Sequence, residues 1–259
     1  PGDPDDNEIC DGLDNDCDGF VDDELPACIQ WVQIEGGELQ MGNAGDAFER
    51  PVHPVNIPNF DMAVSETTVA QYAACFDAGV CSEPLTGDGC NWGVEDRDNH
   101  PVNCVSWGQA NTFVAWYGSG ARLPSESEWE FAARNRGTAG AYPWGDADPS
   151  CDLVVMRVDG VFGCGSGSTS PVCSREAGHT SQDLCDMLGN VWEWTGDARH
   201  ENYNDAPEDG SAWVDPPHGQ KIHRGGAYDQ GGFDARRRNS DHQDSQHADK
   251  GFRTVRNTP

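Results

Sequence analysis

The chain has 259 residues, enough to bury one sizeable core or one core with a small appendage. Its net charge of −29 argues against binding nucleic acid or an anionic membrane through basic patches, and a compact state carrying it needs cations to offset the self-repulsion. Hydrophobic residues make up 36% and Gly and Pro number 31 and 16, which favours a loop-rich fold over a helical bundle, while nine tryptophans speak against disorder.

The first 28 residues differ from the rest. Asp14, Asp16 and Asp18 alternate ahead of Gly19, the Phe20 carbonyl and Asp22 follow, and Asp23 or Glu24 stands where the shell would close. This is the spacing of a shortened calcium loop, in which alternate carboxylates turn inward and a glycine permits the sharp bend. The alternative is an acidic tail tied by disulfides. No long flanking helices are visible, so an EF-hand is not expected. Residues 1–28 are therefore read as an acidic calcium-binding segment and 29–259 as one further domain.

From Ile29 onward, Trp31–Ile34 and Glu38–Met41 read as short strands joined through Gly36 and Gly37. Three capping boxes predict three helices: Thr68 with Gln71, running to about Asp77; Ser106 with Gln109, to about Tyr117; and Ser125 with Glu128, to about Asn135. Beyond Arg136 the periodicity fades and Gly, Pro, Asp and Ser dominate.

Eleven cysteines without zinc-type spacing point to an oxidising compartment. Local pairing joins Cys75 to Cys81, Cys90 to Cys104, Cys151 to Cys164 and Cys173 to Cys185; Cys10 with Cys17 makes a fifth and leaves Cys28 over. No apolar run is long enough to span a bilayer, and the polar start at Pro1 reads as a mature secreted or cell-surface chain.

Several blocks, in order, resemble one family: Gly36–Gly42, Arg122–Arg134, Tyr142–Gly145, Asp186–Trp194, Arg224–Gly226 and Gly251–Arg253. They are similar to the sulfatase-modifying-factor domain, the formylglycine-generating-enzyme variant of the C-type lectin fold. The resemblance runs from about Trp31 to Arg256. It implies a loop-rich α+β domain stabilised by disulfides and calcium. It places one calcium ion on the side chains of Asp186 and Glu193 and the carbonyls of Gly189 and Val191, and starts a second site near Asp152 and Leu153. It puts Trp192 and Trp194 in the core and pairs Arg224 and Arg253 with buried carboxylates.

The oxidases of this family convert a substrate cysteine to formylglycine with copper and two cysteines just after the Arg-Gly-Gly block. Here Asp229 or Gln230 stands at the first position, and no cysteine follows Cys185. Copper is not expected. Neither is iron, because the branch that holds it uses histidines on an added helical domain; His218 and His223 lie in a Pro/Gly-rich stretch and His242 and His247 flank a polar run, where solvation is the ordinary role. The expected function is a non-catalytic binding or structural module, its candidate ligand surface formed by Tyr228, Asp229, Gln230 and Phe233, its partner a protein, a glycan or a neighbouring subunit. The alternative is a family enzyme with chemistry other than formylglycine formation.

Overall fold

The computed structural model describes residues 28–145, 147–217, 219–232 and 234–258. The acidic loop from Asp14 to Glu24 lies outside them, as do His218 and Phe233.

Strand β1 (Trp31–Ile34) and strand β2 (Gly37–Met41) form where expected, yet they do not pair with each other. A Cβ on Gly36 would sit 2.2 Å from the Ile57 carbonyl, so the connection passes too close to the backbone for any side chain. Strand β2 pairs instead with β3 (His53–Ile57). Strand β1 pairs with β4 (Phe60–Ala63) in a second sheet that continues through β10 (Val255–Asn257) to β5 (Ala121–Arg122). A third sheet has the order β8 (Arg238–His242), β7 (Gln220–Arg224), β6 (Trp192–Ala198), β9 (Lys250–Gly251), with β6 and β9 parallel.

Helices α1 (Val69–Asp77), α2 (Trp107–Tyr117) and α3 (Glu126–Ala133) all start on the predicted capping boxes, each with both reciprocal bonds formed. Helix α3 stops two residues before Asn135, because Asn135 and Arg136 turn left-handed (φ 50° and 60°). Every residue of α3 is buried, including three glutamates. Each has a guanidinium. Glu126 accepts from Arg224 at 3.1 Å and Arg238 at 2.8 Å, Glu128 from Arg122 at 2.7 Å, and Glu130 from Arg224 at 2.7 Å and Arg134 at 2.8 Å. Fully desolvated carboxylates are tolerated only when paired in this way. Arg224 thus does what its position in the motif predicts.

Between Arg134 and Val191 the described chain has two 3₁₀ turns, Gly163–Gly165 and Glu176–Gly178, and no longer element. Backbone groups bond across the loops, and the bridges Cys151–Cys164 and Cys173–Cys185 tie the stretch down. Cys75–Cys81 and Cys90–Cys104 complete the four predicted pairs. Cys28 is a correction. It is itself disulfide-bonded, so it is not the odd thiol, and its partner lies outside the described residues. The other eight described cysteines pair among themselves.

Strand β6 carries no alternating pattern for a physical reason. Trp192, Glu193, Trp194 and Thr195 of β6 are all buried, on both faces of the sheet. Trp194 belongs to a cluster with Tyr72, Phe113 and Phe252, while Trp129, Ile34, Leu39 and Phe60 fill a second one.

Candidate functional site

Two places collect chemistry around the end of β6 and the turn that feeds it. The first is a buried charge cluster. Asp186, Gly189 and Asn190 all adopt left-handed backbone (φ 52°, 79° and 53°), winding the chain into a tight turn. A Cβ at Gly189 would meet Val154 Cγ2 at 2.3 Å and the Val155 carbonyl at 2.5 Å, so the turn needs glycine. It delivers Glu193 to Arg253: Nη2 donates to Oε1 and Nε to Oε2, both at 2.7 Å, and Trp129 Nε1 donates to Oε2 at 2.7 Å. Arg253 Nη2 also reaches the Cys185 carbonyl at 2.9 Å. Both members of the pair are fully buried.

Glu66 joins this cluster, and nothing in its local sequence marks it as a member. Its oxygens accept from Val191 N–H at 3.1 Å and Asn190 Nδ2 at 2.8 Å. Asp186 accepts the Cys173 N–H at 2.6 Å. Three buried carboxylates therefore share one guanidinium. Burial holds the Glu66 carboxyl well above the usual carboxylate range, and the negative charges of Asp186 and Glu193 add to it against the pull of Arg253. Burial likewise raises Asp186, with Glu193 contributing. Carboxyl groups gathered in a dry place offer oxygen donors of the kind a hard cation such as calcium takes. The carboxylates do not converge on one point, however. Among the described residues, the only His, Cys, Asp or Glu trio with ligand atoms within 4.8 Å of one another is Cys173, His179 and Cys185. A calcium ion here would draw on the Gly189 and Val191 carbonyls and on second lone pairs of Asp186 and Glu193. Asp152 is exposed and Leu153 half-buried, with no such trio gathered around them.

The second place is an open depression of about 380 Å³ lined by Tyr228, Asp229, His247, Ala248, Asp249 and Lys250. The loop carrying its floor is fastened on both sides: Tyr228 N–H bonds the Asn190 carbonyl at 2.9 Å, Gly163 N–H the Tyr228 carbonyl at 2.8 Å, and Arg157 N–H the Gln230 carbonyl at 2.8 Å. Lys250 Nζ lies 3.2 Å from both Asp241 and Asp249. Asp229 Oδ1 is buried and has no hydrogen-bond partner. Burial, reinforced by Asp249, raises the Asp229 carboxyl above its ordinary range. Tyr228, read from sequence as a surface anchor, is largely buried, its ring edge-on to Phe162. His223 departs from the sequence reading too. It sits inside β7, 2% exposed, between the rings of Trp192 and Trp194.

Residues 20–258 match the model of the Sulfatase-modifying factor enzyme 1-like domain. The chain belongs to this family. It is 32% identical to the formylglycine-generating enzyme of Streptomyces coelicolor, over 76% of this chain and 78% of that protein. It is 33% identical to the inactive C-alpha-formylglycine-generating enzyme 2 of Bos taurus, over 76% of this chain and 80% of that protein. Among solved structures it resembles PvdO from Pseudomonas aeruginosa with a TM-score of 0.78 and 26% identity, covering 90% of this chain and 95% of that one. Asp229 and Gln230, and no cysteine, follow the Arg224–Gly226 block. Every described cysteine is in a disulfide.

A third group sits below α3. Asp197 accepts the Glu126 N–H at 2.7 Å and the Trp213 N–H at 2.8 Å. Burial pushes its carboxyl up to about 7, helped by Glu126 and opposed by the two N–H bonds and Arg238. A carboxyl raised in the folded state contributes stability that is full below its ordinary 3.8 and is lost as pH rises to about 7. The stability difference between wild type and Asp197→Asn should therefore be most in favour of wild type near pH 4 and shrink by pH 7.5. That change is capped at roughly 4 kcal/mol. Urea unfolding of both proteins across this range measures it; a difference independent of pH would refute the assignment.

Proposed function

We propose that this chain is a calcium-stabilised binding module of the sulfatase-modifying-factor family that works without the thiol chemistry of its oxidase relatives. The observation carrying this reading is the content of the depression. Where the family's oxidation chemistry wants soft thiolates for copper, the depression offers the Asp229 carboxylate beside Asp249, His247 and Lys250. Such a rim of adaptable polar groups on a rigid base suits recognition of a protein or glycan, or of a neighbouring subunit, outside the cell. Calcium held by Asp186, Gly189, Val191 and Glu193 would stiffen the turn that positions Tyr228, because Asn190 in that turn bonds the Tyr228 N–H.

Incubating the protein with copper, oxygen and a cysteine-bearing peptide tests the first half: no aldehyde is expected above the protein-free control, and aldehyde formation would overturn the reading. Glycan and extracellular-protein arrays test the second half. Saturable binding that falls at least tenfold in Asp229→Ala is expected, and no binding to either array counts against a recognition role.

A second reading rests on Asp229 itself. A carboxylate with a raised affinity for protons and an unpartnered oxygen is placed as a general base would be, beside an open surface and His247. Turnover of a bound ligand, lost in Asp229→Asn with binding retained, would favour this enzyme over the module.

A further inference from the structure

The trio Cys173, His179 and Cys185 belongs to neither place described above. Its side-chain ligand atoms all lie within 4.8 Å of one another. In the oxidised chain the two sulfurs are bonded to each other, and His179 Nε2 is buried beside them with no hydrogen-bond partner. A buried imidazole nitrogen without a partner carries a desolvation cost, and it calls for an occupant.

Hydrogen bonds, in addition to the sulfur–sulfur bond, hold the three residues. Cys173 N–H is anchored on Asp186 Oδ2 at 2.6 Å, and Cys185 N–H on the Val64 carbonyl at 3.0 Å. The 3₁₀ turn Glu176–Gly178 delivers His179, whose N–H closes on the Glu176 carbonyl at 3.1 Å. Gly178 locks that turn: a Cβ there would lie 1.8 Å from the Leu153 carbonyl. On the other side Thr180 N–H bonds the Leu184 carbonyl at 2.9 Å and Asp183 N–H the Thr180 carbonyl at 3.0 Å, closing the short loop between His179 and Cys185. Opening the disulfide would leave three ligands held by backbone bonds around one spot.

We propose that Cys173, His179 and Cys185 form a redox-gated metal site: closed as a disulfide, and open to a cation of the zinc class when reduced. The electron count is simple. An external dithiol or phosphine reductant supplies two electrons, two protons are taken up, and the bridge becomes two thiols. Binding a divalent cation then releases those two protons and leaves two thiolates and a neutral imidazole on the metal. Tetrahedral zinc, with bonds of about 2.3 Å to sulfur and about 2.0–2.1 Å to nitrogen, sets its ligand atoms roughly 3.5–4 Å apart. In the closed form the two sulfurs are bonded to each other, so they would have to part to that spacing when the bridge opens. Two sulfurs and one nitrogen leave a fourth position for water, and the Asp186 carboxylate lies close enough to His179 to feel its charge.

Cobalt(II) is the probe, because thiolate coordination gives it a near-ultraviolet charge-transfer band. The full chain, reduced with a phosphine under native conditions, should bind one cobalt ion tightly with that band. The oxidised chain should show none. His179→Ala, which keeps the bridge, should weaken binding to the reduced chain at least tenfold, and Cys185→Ser should abolish the band. Near-ultraviolet circular dichroism of the reduced chain runs alongside. A reduced chain that gives no band, that loses its tertiary signal and stays unfolded with cobalt, or whose band is unchanged in His179→Ala overturns the proposal.

Discussion

Arg253→Ala is expected to cost about 3–5 kcal/mol of stability. The guanidinium is fully buried and bonds both oxygens of a fully buried Glu193 at 2.7 Å. Truncating it leaves Glu193 without its ion-pair partner and removes the positive charge that offsets Glu66 and Asp186 nearby. It also strands the Cys185 carbonyl that Nη2 now satisfies at 2.9 Å. The comparison that makes the result meaningful is Arg136→Ala. Arg136 makes a 2.7 Å ion pair with Glu35 in which both side chains are exposed, and such pairs contribute about 0–1 kcal/mol. Urea midpoints at constant m-value measure both variants. Equal losses in the two would mean that the cluster is not a desolvated unit.

Chelation is the second large effect. If a calcium ion sits on the turn from Asp186 to Glu193, removing it returns the full surplus of buried negative charge to the cluster. At free calcium about 1,000 times the dissociation constant, bound ion contributes about 4 kcal/mol. For a domain of this size, each kcal/mol moves the melting temperature by about 2–4 °C, so EDTA under non-reducing conditions should lower it by roughly 10 °C. Glu193→Gln should remove most of that response while Asp152→Asn leaves it, if the ion is at this turn. An unchanged melting temperature in EDTA would refute the calcium reading for the domain.

Much of this fold can be read in the chain because its signals are local. The capping boxes at Thr68, Ser106 and Ser125 are decided by residues three positions apart, and all three helices start on them. The four near-neighbour disulfides are local in the same sense. Pairing over long range is not visible in this way. Strand β1 finds β4 rather than β2, and β6 hides its period because both of its faces are buried. Cys28, left over by nearest-neighbour pairing, is in fact disulfide-bonded. At the charge cluster, Asp186, Glu193 and Arg253 are legible through the family blocks. Glu66 is not, because its role comes from bonds to Asn190 and Val191, more than 120 positions away. His223 follows the same rule: its neighbours in sequence are loop-like, and only the sheet places it between two tryptophans.

Strand β10 sits in the middle of its sheet, between β4 and β5, although it comprises residues 255–257. A growing polypeptide therefore cannot finish that sheet until residue 257 has emerged from the ribosome, and β1 and β4 must wait with an open edge while some 190 residues are added (257 − 63 = 194). Exposed strand edges invite mispairing. A chain clipped before Val255 lacks an interior strand of this sheet and keeps that edge open.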